Sequence, residues 1–254
     1  MISEKVRNIL IVLIVLICAI IVGYYKVDIN HYIDKTSDNL QLNDSSNTKE
    51  VKLIKCIDGD TVKLLIDDKA VKVRLLAIDT PEIKHPKKSE ESYAKTASIH
   101  TCDSLTNAKK ITISYEKNIF KQDKYKRDLV WLYADDKLVQ EELISQGLAR
   151  VRYIYGKYKY TEKLLKIEKE AKEKQVGIWH DYKDKVSNND YVVVYDYGDS
   201  SSSSKVENNY ITKIPDNPTK EGYIFVGWTY NNKLYDLSNP ITANIVLTPK
   251  FYKL

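Results

Sequence analysis

The sequence predicts an α+β protein: a small barrel of five short strands with helices packed on its side, preceded by an apolar helix and followed by a second, smaller unit. Three observations lead there. Strand-like segments come in quick succession from residue 51, joined through turn residues. Segments with helical spacing fall between the later strands. The chain has 254 residues, more than one average domain needs, and its charge changes along its length.

Taken in order, residues 1–8 carry Lys5 and Arg7, and residues 9–22 hold no polar side chain except Cys18. With Gly23, Tyr24 and Tyr25, this run (9–25) sits at the short limit of a membrane-spanning helix, with tyrosines at headgroup level. An uncleaved anchor and a signal peptide share this pattern. The lack of a small-x-small cleavage site after the run, and Ile17 before Cys18, favour the anchor. Residues 1–8 would then be cytoplasmic, with a single pass through the cell membrane and the bulk of the chain extracellular; cleavage would make the protein secreted. Residues 26–49 are polar and read as a flexible stalk.

The main domain is expected over 50–184. Residues 51–57 and 61–66 alternate as strands around the Asp58-Gly59-Asp60 turn, and Asp67-Asp68 leads to a third strand over 70–78. After Pro81 a lysine-rich loop precedes a helix from about residue 89, with Ala94, Ala97, Thr101, Leu105 and Ala108 at helical spacing. Residues 111–115 and 129–133 read as two more strands, and 139–146 as a short helix stopped by Gly147. Thr161 is placed to cap a last helix reaching about residue 175 and closed near Gly177. This order fits a barrel of the oligonucleotide/oligosaccharide-binding type. Three cysteines, Cys18, Cys56 and Cys102, supply neither a disulfide framework nor a zinc spacing.

Within this domain two apolar strands end in acidic residues with an arginine among them: Ile57-Asp58-Gly59-Asp60-Thr61, and Arg74 to Glu82 through Asp79, Thr80 and Pro81. Such a grouping is expensive unless it binds something, here a cation and a phosphate. Residues 51–184 hold 28 Lys/Arg against 22 Asp/Glu, whereas 26–50 hold 3 against 5 and 189–254 hold 6 against 7. A basic surface around an acidic pocket suits a polyanion held near a metal.

These segments, with His85-Pro-Lys-Lys88, Asp123-Lys-Tyr-Lys-Arg127 and Gln146-Gly-Leu-Ala149, closely resemble the staphylococcal nuclease (thermonuclease) family, in family order across about residues 51–182. The resemblance implies a Ca²⁺-dependent endonuclease that cleaves DNA and RNA, prefers single strands and leaves 3′-phosphates. It implies Asp60, Asp79 and the Thr80 carbonyl as metal ligands, and Glu82 as the base or orienting group for water. It implies Arg74 and Arg127 as catalytic phosphate clamps, and Lys88, Tyr125, Tyr153 and Tyr155 as substrate contacts. Tyr153, Tyr155, Tyr158 and Tyr160 alternate, so half of them equally suit strand packing. The chain departs from the family pattern beside Arg127, where Lys126 and Asp128 stand in place of glycines. That substitution removes backbone freedom and offers Arg127 a competing carboxylate.

Residues 189–254 are similar to a single internalin-type B repeat (Listeria–Bacteroides repeat), carried by Gly222-Tyr-Ile-Phe-Val-Gly-Trp228. The resemblance implies a small β-grasp-like module of bacterial surface proteins, with a cell-wall or other surface ligand or a spacer role, and makes Ser200–Ser204 a loop inside it. The protein is expected to be a monomer. The rival reading is a non-catalytic nucleic-acid or surface-binding protein that uses the barrel and the repeat module.

Overall fold

The structure is a computed structural model that describes residues 48–83, 91–117, 119–181, 191–207 and 209–254. The expected cytoplasmic segment, the apolar span over 9–25, all but the end of the stalk, and Lys88 lie outside the described residues. Among the described residues no helix is long and apolar enough to cross a membrane.

The barrel is built from β1 (Lys49–Cys56), β2 (Thr61–Ile66), β3 (Lys69–Leu75), β5 (Ile111–Ser114) and β6 (Asp128–Ala134). Their order is β3-β2-β1-β5-β6, with the short β7 (Lys137–Leu138) antiparallel on the far side of β6, and a parallel pairing of β3 with β6 closes the sheet on itself. Closure removes free edges and turns alternate side chains inward, so Val62, Leu64, Val73, Ile113, Val130 and Leu132 are all fully buried. Among the described residues three α-helices pack outside: α1 (Ala94–Asn107), α2 (Val139–Ser145) and α3 (Thr161–Glu173). The buried face of α1 is Ala94, Ala97, Thr101 and Leu105, as its spacing predicts.

Several expectations need correction. The third strand does not run to residue 78: it stops at Leu75, Ala77 takes a left-handed conformation (φ 63°), and β4 (Ile78–Asp79) turns away to pair with β8 (Arg150–Val151). Periodicity misses this break because Leu76, Ala77 and Ile78 are all buried and apolar on either path. Thr161 does not cap α3 with its side chain; its hydroxyl accepts the Tyr158 N–H at 3.1 Å, upstream of the helix.

Cys56 and Cys102 form a disulfide between the end of β1 and the middle of α1. The two positions are 46 residues apart, and only the packing of α1 across the barrel end brings them together.

The C-terminal module is a six-stranded sheet of β9 (Val192–Asp196), β10 (Ser201–Glu207), β11 (Tyr210–Ile211), β12 (Tyr223–Tyr230), β13 (Lys233–Leu234) and β14 (Ile245–Lys253). Its order is β11-β10-β9-β14-β12-β13, with β9 and β14 parallel at the centre. Trp228 is fully buried and meets the rings of Tyr195 at 4.8 Å and Phe225 at 5.6 Å, edge to face. The serine run is not a loop: Ser201–Ser204 pair with β9, and the buried Ser204 hydroxyl donates to the Lys213 carbonyl. Strand pairing with an apolar neighbour decides these residues, against their loop-like composition. Barrel and module belong to one compact unit.

Candidate active site

The site grows from the β1–β2 turn. Backbone N–H groups of Ile57 and Asp58 both donate to the Thr61 carbonyl, and Leu75 N–H donates to the carbonyl of Asp60 at 2.9 Å. A side chain at Gly59 is impossible, since a Cβ there would lie 2.9 Å from both Ala97 Cβ and the Thr80 side chain. The turn is thus wedged between α1 and the strand that carries Asp79, and Thr101 fastens it by donating to the Gly59 carbonyl at 2.6 Å.

Register does the rest. Thr61 is paired with Arg74 across β2 and β3, so Asp60 and Arg74 come side by side. The left-handed turn at Ala77 then returns the chain toward the same guanidinium. Arg74 Nη1 donates to the carbonyls of Leu75 (2.7 Å) and Ile78 (2.8 Å), while Nη2 lies 3.0 Å from both Asp60 Oδ2 and Asp79 Oδ1. One buried nitrogen therefore bridges the two carboxylates expected as metal ligands. Asp60 Oδ2 also accepts the Thr80 N–H at 3.0 Å, and Oδ1 accepts the Thr61 hydroxyl at 2.9 Å.

Arg127 reaches this network from the β5–β6 connection, donating from Nη1 to the Thr61 hydroxyl at 3.3 Å. A continuous chain of polar contacts therefore runs from Arg127 through Thr61 and Asp60 to Arg74. The competition expected from Asp128 does not occur. Its buried carboxylate accepts the Tyr115 hydroxyl and the Gln122 amide, both at 2.7 Å, and faces Lys121. Arg127 is instead held by Asp123, which pairs with Nε at 2.7 Å and Nη2 at 2.6 Å and accepts the amides of Tyr125 and Arg127. Of the five guanidinium donors, three meet protein acceptors among the described residues, which leaves two for a phosphate. Lys126 supplies the left-handed conformation (φ 60°) that a glycine would adopt more easily.

Glu82 stands at the edge of the cluster. Glu82 is exposed, yet partial desolvation, followed by the neighbouring carboxyls of Asp58, Asp60 and Asp79, pushes its pKa up to about 7. Asp58 shares a hydrogen bond with Glu82 and is itself raised, chiefly by burial and then by Asp60. Asp79 is raised as well, because burial and the Asp60 charge outweigh Arg74. The cluster carries more negative charge than Arg74 offsets, which is the condition a divalent cation relieves. Among the described residues no three acidic, histidine or cysteine side chains form a ready-made cage. Two carboxylates and a backbone carbonyl are still a fitting start for Ca²⁺, which takes ~6–8 oxygen ligands including water and substrate.

Tyr153 lies with its ring 5.6 Å from the Arg74 guanidinium and is 47 % exposed; Tyr125 is 67 % exposed with its ring 5.4 Å from Arg127. Tyr155 is half-buried. Residues 152–158 are an irregular connection and not the alternating strand their spacing allows, and Tyr158 and Tyr160 are packing residues, the latter bonded to the Tyr133 hydroxyl. Asp58, Thr61 and Asp123 stand inside the sequence motifs without a role assigned to them, Asp58 reading as a turn residue; the structure brings all three into the network, and Asp123 carries the local signal of a carboxylate four residues before an arginine.

Residues 72–181 match the family described as staphylococcal nuclease homologue, and residues 191–250 match the Listeria-Bacteroides repeat domain. The chain is 40% identical over 131 residues to the SPbeta prophage-derived endonuclease YokF of Bacillus subtilis (strain 168), covering 51% of this chain and 44% of that protein. It is 40% identical over 130 residues to endonuclease YncB of the same organism, covering 51% of this chain and 61% of that protein. The chain thus spans about half the length of these two relatives. With the thermonuclease of Staphylococcus hyicus the identity is 33% over 135 residues, 53% of this chain and 78% of that protein.

Proposed function

We infer that this chain, which belongs to the staphylococcal nuclease family, is a Ca²⁺-dependent endonuclease that hydrolyses DNA and RNA, prefers single strands and leaves 3′-phosphates. The observation that carries the reading is the single guanidinium nitrogen of Arg74 held 3.0 Å from both Asp60 and Asp79, with Glu82 in the same carboxyl cluster. Acids and arginines arranged this closely around the buried Asp60 and Arg74 are built to take a cation and an anion together.

Asp60, Asp79 and the Thr80 carbonyl would hold the cation, which when bound places positive charge against a non-bridging phosphate oxygen. Glu82, poised near neutrality, takes the proton of the water whose oxygen attacks phosphorus. As that bond forms, the phosphorus–5′-oxygen bond breaks, its electron pair leaving on the 5′-oxygen, which takes a proton from water to become a hydroxyl, and the phosphate stays on the 3′ side. Arg127 donates its remaining hydrogens to the equatorial oxygens, where charge grows in the transition state. Arg74 already gives both Nη groups to protein partners, so it grips phosphate by exchanging a carboxylate for it. Tyr125 and Tyr153 offer exposed ring faces to bases without demanding sequence.

Display outside the cell is supported by the apolar run over 9–25 and by the Cys56–Cys102 disulfide, a bond that persists in oxidising compartments. The test is incubation of the full-length protein with denatured DNA, duplex DNA and RNA, in Ca²⁺ or in chelator. Cleavage in Ca²⁺, fastest on the denatured strand and lost in chelator, is the expected result. No cleavage in either condition would sink the nuclease reading, and cleavage in chelator would sink the assignment of Asp60 and Asp79.

A further inference from the structure

The segment over 152–158 joins β8 to α3 and carries Tyr153 and Tyr155. It is irregular, so its backbone groups need partners that no ladder supplies. The barrel domain meets some of them: Arg152 N–H donates to the Ala77 carbonyl at 3.0 Å, and Tyr155 N–H to the Tyr158 hydroxyl at 3.3 Å. The C-terminal module meets others. Asp236, which follows β13, accepts the N–H of Tyr153 on Oδ2 at 2.8 Å and the N–H of Ile154 on Oδ1 at 2.9 Å. Leu237 N–H donates to the Ile154 carbonyl at 2.7 Å, and Trp228 N–H to the Tyr155 carbonyl at 2.9 Å. Asn217 closes the far end, exchanging hydrogen bonds of 2.7 and 2.9 Å with the amide and carbonyl of Lys157.

The contact is shaped as well as bonded. A Cβ at Gly156 would lie 2.6 Å from Asn217 Oδ1 and 2.8 Å from the Phe225 ring, so only glycine allows the approach. Asp236 is aimed by Ser238, whose hydroxyl and amide both donate to Oδ1, at 2.7 and 3.1 Å. Arg152 reaches across to Asn239 at 2.7 Å. At the centre of the clasp Tyr153 holds a left-handed conformation (φ 61°), uncommon outside glycine, and this turn leaves its ring beside Arg74.

We propose that the C-terminal module is an intramolecular clamp that completes the substrate face of the nuclease site, with Asp236 as the positioning residue that fixes Tyr153 against Arg74. The module's face at Trp228 and Phe225 is spent on the catalytic domain's own loop. Its consequence for substrate rests on the nuclease reading; the clamp itself does not. A carboxylate receiving two adjacent amides acts here as an N-cap does at a helix start, supplying two acceptors in one rigid group. Without it, the two amides lose their partners and the left-handed turn loses its restraint.

The experiment uses the full-length protein and its Asp236→Ala, Asp236→Asn, Tyr153→Ala and Asp236→Ala/Tyr153→Ala variants. Backbone amide exchange at residues 153–155 is measured first, in the absence of substrate. Exchange at Tyr153 and Ile154 is expected to rise about tenfold or more in Asp236→Ala, with Asp236→Asn in between because it keeps one acceptor oxygen. Unchanged exchange at these amides in a folded Asp236→Ala overturns the clamp, whether or not the protein cleaves DNA. On denatured DNA in Ca²⁺, Asp236→Ala is expected to raise KM about tenfold and to lower kcat less. In the Tyr153→Ala background the same change is expected to add little; a full additional rise in KM there overturns the claim that Asp236 acts through Tyr153.

Discussion

Breaking the Cys56–Cys102 disulfide is expected to remove much of the stability of the barrel domain while leaving the site assembled in the molecules that stay folded. The bond closes a loop of 46 residues. Loop-closure entropy for that length corresponds to about 4 kcal/mol of stabilisation at 25 °C, through restriction of the unfolded chain. This is a large part of the ~5–15 kcal/mol by which a domain is ordinarily stable. The loop contains Asp58, Asp60, Arg74, Asp79 and Glu82, yet the site does not hang on the sulfur bridge alone. Thr101, next to Cys102, still ties α1 to the Gly59 carbonyl at 2.6 Å, and the β2–β3 register still sets Asp60 beside Arg74. The clean perturbation is the double replacement Cys56→Ser and Cys102→Ser, which leaves no free thiol. Urea unfolding of the variant is compared with the wild type, oxidised and after reduction. With a slope of ~2 kcal/mol per molar, a loss of 4 kcal/mol moves the midpoint by about 2 M. The reduced wild type should unfold with the double-serine variant. Coincident midpoints for oxidised wild type and variant would refute the reasoning, since the crosslink would then be absent or matched by strain in the folded state.

Four further outcomes are expected. Glu82→Gln should lower kcat by about 10²–10⁴-fold with a smaller effect on nucleotide binding, because the variant keeps the shape and loses the proton acceptor; a loss confined to binding contradicts the role. In the metal-free protein the Glu82 carboxyl, raised from 4.5 to about 7, binds more protons folded than unfolded across that window. Stability contributed by its protonated form is present below about pH 4.5 and lost as pH rises through about 7, so Tm should fall over this range, less steeply in Glu82→Gln, and Ca²⁺ should raise Tm more at pH 7 than at pH 5; equal slopes in the two proteins would show that Glu82 is not the titrating group. Arg127→Lys cannot keep the two-pronged pairing with Asp123 and still reach Thr61, so kcat should fall by about two orders of magnitude, whereas Lys126→Gly should stabilise the domain by about 0.5–1 kcal/mol by relieving the left-handed backbone at φ 60°; a destabilised Lys126→Gly in urea unfolding would count against that account.

Much of the site was legible because its chemistry is local. Asp60 ends one turn, Arg74 and Asp79 flank one bend, and Arg127 follows a carboxylate by four residues, so each motif is visible as a short string. Helix α1 was legible for the same reason, since Ala94, Ala97, Thr101 and Leu105 repeat at helical spacing and bury one face. The break at Ala77 was not, because Leu76, Ala77 and Ile78 are all apolar and buried whichever way the chain turns. The serine run has the composition of a loop, while its place beside β9 makes it a strand.

By itself, then, the amino-acid sequence determined the family of the main domain, the identity of the module that follows, and the residue types available at the site, because each depends on patterns no longer than a few turns of chain. Only the tertiary structure decided which of these residues act on one another. It turned Asp128 away to Tyr115 and Gln122 and gave Arg127 to Asp123, joined Cys56 to Cys102, and brought Asp236 under Tyr153 across 83 positions of sequence. Such contacts depend on strand register and on how helices and modules pack, and one-dimensional spacing holds no record of either.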